Sequence, residues 1–175
     1  MTDLAQRIRP ATSADIAGIA AIYNEVIATS TAIFNDQPVT PEDRLAWLEA
    51  RTRAGFPVLV ATGTAGEVLG FATFGDFRSW PGYRYTVEHT VHVHGRHRGQ
   101  GIGRDLMLAL FPLATGMGKH IMVAGVDATN GPSLAFHQRL GFAPAGTLRE
   151  VGRKFGLWLD LTFLQKFLDA PGSVR

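Results

Sequence analysis

The stretch from Tyr85 to Leu110 limits what this chain can become more than any other. It opens on Thr86-Val87-Glu88-His89-Thr90-Val91-His92-Val93, whose alternation reads as a strand. Thr86, Glu88, Thr90 and His92 share one face, and Val87, His89, Val91 and Val93 share the other. A basic, glycine-rich loop follows, Arg96-His97-Arg98-Gly99-Gln100-Gly101-Ile102-Gly103. A helix then begins near Gly101, with Ile102, Leu106, Leu110, Leu113 and Ala114 on its buried face. Pro112 should kink that helix or end it early. The first N–H groups of a helix have no partner inside it, and the macrodipole adds positive potential there. Gly99, Gly101 and Gly103 let backbone approach a ligand, and Arg96, Arg98 and Arg104 add donors suited to phosphate. The stretch reads as a cradle for a pyrophosphate.

The rest of the chain supplies elements around it. Arg7-Ile8-Arg9-Pro10 reads as a short first strand stopped by proline. Ser13 is positioned to cap a helix that carries Ile16, Ile19, Ala20, Tyr23, Val26 and Ile27 on one face. Thr29–Asp36 is a polar loop in which Ile33 and Phe34 stand out; Phe34 either packs on the core or lines a pocket. Thr40-Pro41-Glu42-Asp43 starts a second helix, with Leu45, Trp47 and Leu48, that ends near Gly55. Pro57–Thr62 and Glu67–Phe74 form a hairpin. Gly75–Arg84 is a loop rich in aromatics and arginine, and loops set by a rigid sheet often carry specificity. After the helix come a buried strand at His120–Val126 and a short helix at Pro132–Leu140 that Gly141 stops. Two strands about Lys154-Phe155-Gly156 close the chain. The order is β-α-α-β-β-β-α-β-α-β-β, an α/β (or α+β) fold with a mixed sheet. Residues 1–170 form one domain and 171–175 a short tail.

Composition removes several classes. A hydrophobic share of 46% with 18% charged residues in 175 residues describes a globular chain with a real core. The formal charge of +2 argues against nucleic acid, and the cations gather locally at 96–104, as suits a small anion. There is no cysteine, so thiolate catalysis, disulfides and Cys-based zinc sites are excluded. His89, His92, His94 and His97 are close in sequence, but no third ligand in fixed geometry is evident, so no metal is expected. No apolar run has membrane-spanning length and the N-terminus lacks the form of a signal peptide, so a cytoplasmic protein is expected.

Three phosphate loops compare with the cradle. A Walker A loop ends in Gly-Lys-Ser/Thr, whereas Gly103 is followed by Arg104-Asp105. A dinucleotide fingerprint needs its third glycine three positions after the second; Asp127 after the next strand is the one feature that keeps this reading open. Arg98-Gly99-Gln100-Gly101-Ile102-Gly103 resembles the coenzyme A loop of the GNAT superfamily of N-acetyltransferases. The resemblance covers nearly the whole chain. Ile8-Arg9-Pro10-Ala11 with Asp15-Ile16 is similar to that superfamily's opening, and Asn130, Ser133, His137 and Leu140-Gly141-Phe142 are similar to its second signature. Tyr85–Val91, Pro132–His137 and Gly152–Asp160 resemble the phosphinothricin and methionine sulfoximine N-acetyltransferase branch.

What the resemblance implies is specific. The fold would be a mixed, mostly antiparallel sheet of about seven strands flanked by about four helices. Acetyl-CoA would be the donor cosubstrate, held by Val91, His92, Val93, Arg98, Gly99, Gln100, Gly101, Ile102, Gly103, Arg104, Asn130 and Ser133. The acceptor would be the α-amine of methionine sulfoximine, methionine sulfone or phosphinothricin, touched by Phe34, Arg78, Ser79, Trp80, Glu88, His89 and Thr90. A homodimer is implied as well. Transfer would be direct, through a tetrahedral intermediate. From the residues alone, Glu88 is equally a general base with a raised pKa or a carboxylate paired with an arginine; the resemblance implies the base. His137 stands where the superfamily often has a tyrosine acid, and is either a proton-transfer group or structural. A non-catalytic CoA or nucleotide sensor on the same scaffold, or a different amine acceptor, is the alternative.

Overall fold

The structure is a computed structural model that describes residues 8–168. Arg7, expected at the head of the first strand, and the 171–175 tail lie outside the described residues. The elements are β1 (Ile8–Pro10), α1 (Ile16–Thr29), α2 (Pro41–Arg53), β2 (Val58–Thr62), β3 (Val68–Asp76), β4 (Thr86–Val93), α3 (Ile102–Gly116), β5 (Ile121–Asp127), α4 (Gly131–Arg139), β6 (Ala143–Lys154) and β7 (Leu157–Phe167). The strands make one seven-stranded sheet in the order β1-β2-β3-β4-β5-β7-β6. β4 pairs β5 in parallel, while β1–β2, β2–β3, β5–β7 and β6–β7 are antiparallel. The expected order of elements and the mixed, mostly antiparallel sheet are both realised. Contacts divide the chain into two compact units: residues up to Phe74 with Thr90–Leu110, and Gly75–His89 with everything from Phe111.

In the first unit the apolar face of α1 covers the hairpin of β2 and β3. Ile19, Ile22, Val60 and Phe71 are at most 1% exposed, and Tyr23, Trp47 and Val68 pack around them. Burying each such side chain contributes roughly 1.5–3 kcal/mol. Helix α1 does not start as expected. Thr12, not Ser13, is the cap: a single 3-10 turn over Ser13–Asp15 precedes α1, and Thr12 and Asp15 make a reciprocal capping box. The buried Asp15 carboxylate also receives Arg9 through Nη1 at 2.7 Å and Nη2 at 2.8 Å. That guanidinium, then the hydrogen bonds from Thr12, hold Asp15 below the usual carboxylate range despite burial. Helix α2 does start at the expected signal, with a Thr40/Asp43 box.

Helix α3 buries Ile102, Leu106, Met107, Leu110 and Ala114, but Leu113 is 41% exposed rather than on the buried face. It also runs past Pro112 to Gly116. A proline removes one helical donor, and here buried Leu110 and Ala114 anchor the helix on either side of the gap.

In the second unit β5 pairs with β7 along its length, from Ile121 opposite Phe167 to Asp127 opposite Leu161. The β6–β7 turn sits at Phe155 and Gly156, whose φ values of 51° and 77° are those of a tight two-residue hairpin turn. Leu148, Val151, Phe155, Leu157 and Trp158 of this hairpin are all about half or more exposed. No helix among the described residues is long and apolar enough to cross a membrane.

Candidate active site

In the first unit, the second half of β4 delivers the chain into the cradle. His94 N donates to Leu69 O at 2.9 Å, which ties the strand end to β3. The next N–H, of Gly95, donates to both carboxylate oxygens of Glu25 on α1, at 3.1 and 3.2 Å. Arg96 N donates to His94 Nδ1, and Arg98 Nε donates to Val93 O at 3.3 Å. Gly99 and Gly101 have φ of 76° and 84°, a left-handed region that glycine enters without strain. Nothing lies within 4 Å of where a side chain on Gly99 would begin. Ile102, 2% exposed, anchors the loop to the core and starts α3, and Gly103 lies inside the helix. Arg96, Arg98, Gly99, Gln100, Gly101 and Arg104 are exposed. Open backbone, a helix start and three exposed guanidinium groups fit a pyrophosphate.

Two aromatic contacts fix His92 in the same unit: Tyr23 at 6.1 Å and Phe71 at 5.6 Å between ring centroids. Burial, with the Arg98 charge adding to it, pushes its pKa down to about 4, so the ring is neutral at pH 7. Val91, His92 and Val93 thus present a neutral strand end. Phe34, in the loop before α2, is 37% exposed and is not core.

In the second unit the first half of β4 carries Glu88 opposite Val123 of β5. The carboxylate is half-buried, and burial raises its pKa against the weaker opposing pull of Arg78. No ion pair joins Glu88 to an arginine among the described residues. Arg78 is exposed and lies 5.0 Å over the Phe77 ring. Phe77 in turn meets Tyr83 at 6.0 Å and Phe163 of β7 at 6.2 Å. Ser79 and Trp80 sit on the exposed part of this loop, with Trp80 74% exposed, which is not the burial of a core tryptophan.

His89, on the opposite face of β4 from Glu88, is buried against His137 of α4 at 5.1 Å and Phe142 at 5.4 Å. His137 is 4% exposed, and its Nδ1–H donates to the Ser133 carbonyl at 2.7 Å. That bond assigns the tautomer and leaves Nε2 a lone-pair nitrogen; it is buried and has no hydrogen-bond partner among the described residues. Burial lowers the His137 pKa. Asn130 caps α4, accepting Ser133 N at 3.1 Å. Both residues therefore have a local task in starting the helix. Thr90 follows in the next stretch of β4, half-buried.

Two residues near these groups are absent from the expected set. Glu25 was hidden because nothing in an apolar helix says which loop its carboxylate will meet. Gly125 carried a signal: a glycine inside a run of Val and Ala in a strand marks close approach of another group. Among the described residues no cluster of three or more His, Cys, Asp or Glu is placed to hold a metal ion.

The seven-stranded mixed sheet and the glycine loop at the head of α3 place the chain among acyltransferase folds. The chain belongs to the acetyltransferase (GNAT) family, whose model matches residues 19–142. Within it, the chain is 49% identical to the L-methionine sulfoximine/L-methionine sulfone acetyltransferase of Pseudomonas paraeruginosa, over 95% of this chain and 96% of that one. It is 52% identical to the L-amino acid N-acyltransferase MnaT of Escherichia coli, over 93% of this chain and 94% of the relative. Among solved structures, yncA of Salmonella typhimurium with its cofactor acetyl-CoA superposes with a TM-score of 0.90 at 49% identity, covering 95% of each chain.

Proposed function

We propose that this acetyltransferase moves the acetyl group of acetyl-CoA to the α-amine of a small amino acid whose side chain ends in tetrahedral, oxidised sulfur or phosphorus. Methionine sulfoximine and methionine sulfone are the first candidates and phosphinothricin the next. The observation that carries the reading is Glu88, a half-buried carboxylate with a raised pKa on the strand that runs into the cradle. A pure binding protein has no use for such a base. Acetyl-CoA supplies an activated thioester carbon; every other demand of the reaction falls on the chain. Gly99, Gly101, the α3 N-terminus and Arg98 and Arg104 hold the pyrophosphate, and Val91–Val93 offer backbone groups to the pantetheine arm. Glu88 takes a proton from the acceptor ammonium, directly or through one water, and so frees the nucleophile. His137, neutral and with Nε2 unprotonated, is a proton acceptor rather than a donor at pH 7. Arg78 meets the anionic end of the acceptor, with Ser79 and Trp80 of the same loop beside it.

Thiol release from acetyl-CoA, followed across a panel of amines, tests the reading. Saturable turnover is expected with the sulfoximine, the sulfone and phosphinothricin, and none with a polyamine. Glu88→Gln should lower kcat/KM about 100-fold or more and remove the acidic limb of the pH profile. Turnover of a polyamine in preference to the amino-acid analogues would overturn the acceptor, and a wild-type pH profile in Glu88→Gln would overturn the base. The chain also acts as a homodimer in this reading, because the β6–β7 hairpin leaves five large apolar side chains exposed.

A further inference from the structure

Gly125 sits in the middle of β5, flanked by buried Ala124 and Val126, yet is itself exposed. Its φ is not in the positive range, so the backbone there does not require glycine. Inside a strand, glycine is less stable than alanine, since it has more freedom to lose and no side chain to pack. Some other demand must keep a side chain out. A β-carbon built on Gly125 would lie 3.0 Å from Glu88 Oε1, 3.4 Å from Leu161 Cδ1 and 3.8 Å from Phe163 Cε1. The last two are ordinary van der Waals separations. Only the carboxylate is too close. Glu88 pairs with Val123, so its side chain leans along β5 and rests over the bare α-carbon two residues on.

We propose that Gly125 is a positioning residue for acetyl transfer: its missing side chain makes the seat in which the Glu88 carboxylate lies against β5. The inference rests on Glu88 as the base and adds what holds that base in place. Without the seat, the carboxylate is the part that yields, because it is the end of a flexible side chain while Leu161 and Phe163 belong to the paired β7. It gives by a few tenths of an ångström, which lifts the carboxylate from its place against β5. An ångström of misplacement at a reacting group costs about 100-fold in rate, so a shift of a few tenths costs a smaller factor.

The test is Gly125→Ala beside Glu88→Gln, with two readouts: steady-state kinetics, and the titration of the Glu88 carboxyl carbon by NMR in the ligand-free chain. Glu88→Gln assigns the resonance. Gly125→Ala should melt at or above the wild-type temperature, since alanine suits this backbone. Its kcat should fall several-fold with the KM for acetyl-CoA unchanged. The Glu88 midpoint, and with it the acidic limb of the rate profile, should move down toward the ordinary glutamate range. Wild-type kcat with an unmoved midpoint would overturn the proposal, and so would a loss of kcat with an unmoved midpoint. If Glu88→Gln keeps a wild-type pH profile, the assignment of the base fails. The NMR midpoint of Gly125→Ala still decides whether the glycine seats the carboxylate.

Discussion

Glu88 and His92 share a strand face in alternation, and their surroundings push them in opposite senses. Burial raises the carboxylic acid and lowers the imidazole, so each is displaced toward its neutral form. For His92 this has a stability consequence with a definite sign. In the unfolded chain the ring takes a proton as pH falls through 6.5, whereas in the fold it stays neutral down to about 4. Between those values the unfolded state binds the extra proton, so stability falls as pH falls across that window. His137, lowered in the same direction, adds to the slope. His92→Gln cannot titrate, and its denaturation midpoints between pH 6.5 and 4 should show a shallower dependence than wild type. An unchanged slope would mean that His92 is not held neutral. This pairing of opposed groups was half legible. Alternation placed both side chains on one face, but no sequence rule said that Tyr23 and Phe71 would enclose the imidazole.

At the scale of elements, the link between β1 and α1 is the part most dependent on one side chain. Asp15 closes the capping box with Thr12 and receives both terminal nitrogens of Arg9. Asp15→Asn keeps the volume but loses the charge that pairs with the guanidinium. It should cost about 1–2 kcal/mol in denaturant unfolding at neutral pH. The deficit should vanish in strong acid, where the depressed Asp15 group of the wild type is itself protonated. The sequence announced elements wherever period and punctuation agreed. β4, the cradle and α3 were readable because alternation stops at three glycines and a helical period begins. α1 was harder. Thr12 and Ser13 are adjacent capping types, and only the Asp15 carboxylate returning to Thr12 decides between them. Leu113 was misplaced because the helical stripe alone does not say how wide the buried face of α3 is. Glu25 depends on a tertiary contact that no local pattern encodes. Gly125 is marked by its place inside a Val/Ala strand, but its neighbour Glu88 is set by the β4–β5 register.

For the whole molecule, the proposed dimer turns on the exposed apolar side chains of the β6–β7 hairpin. Light scattering should give twice the 18.9 kDa chain mass at micromolar concentration. Trp158→Glu, placed amid the exposed apolar side chains, should return it to one chain mass without lowering the thermal midpoint of the fold. A wild-type monomer would remove the dimer from the proposed function.

The exposure of Trp80 gives the enzyme an optical reporter of its own. Of three tryptophans, Trp47 is packed at the core, Trp158 lies on the hairpin and Trp80 stands in the loop that bears Arg78. In a Trp158→Phe background, the red-edge, iodide-quenchable emission belongs to Trp80. An acceptor that settles against that loop dims or blue-shifts it before any bond is made, so ligand occupancy becomes readable in a cuvette with no acetyl donor present.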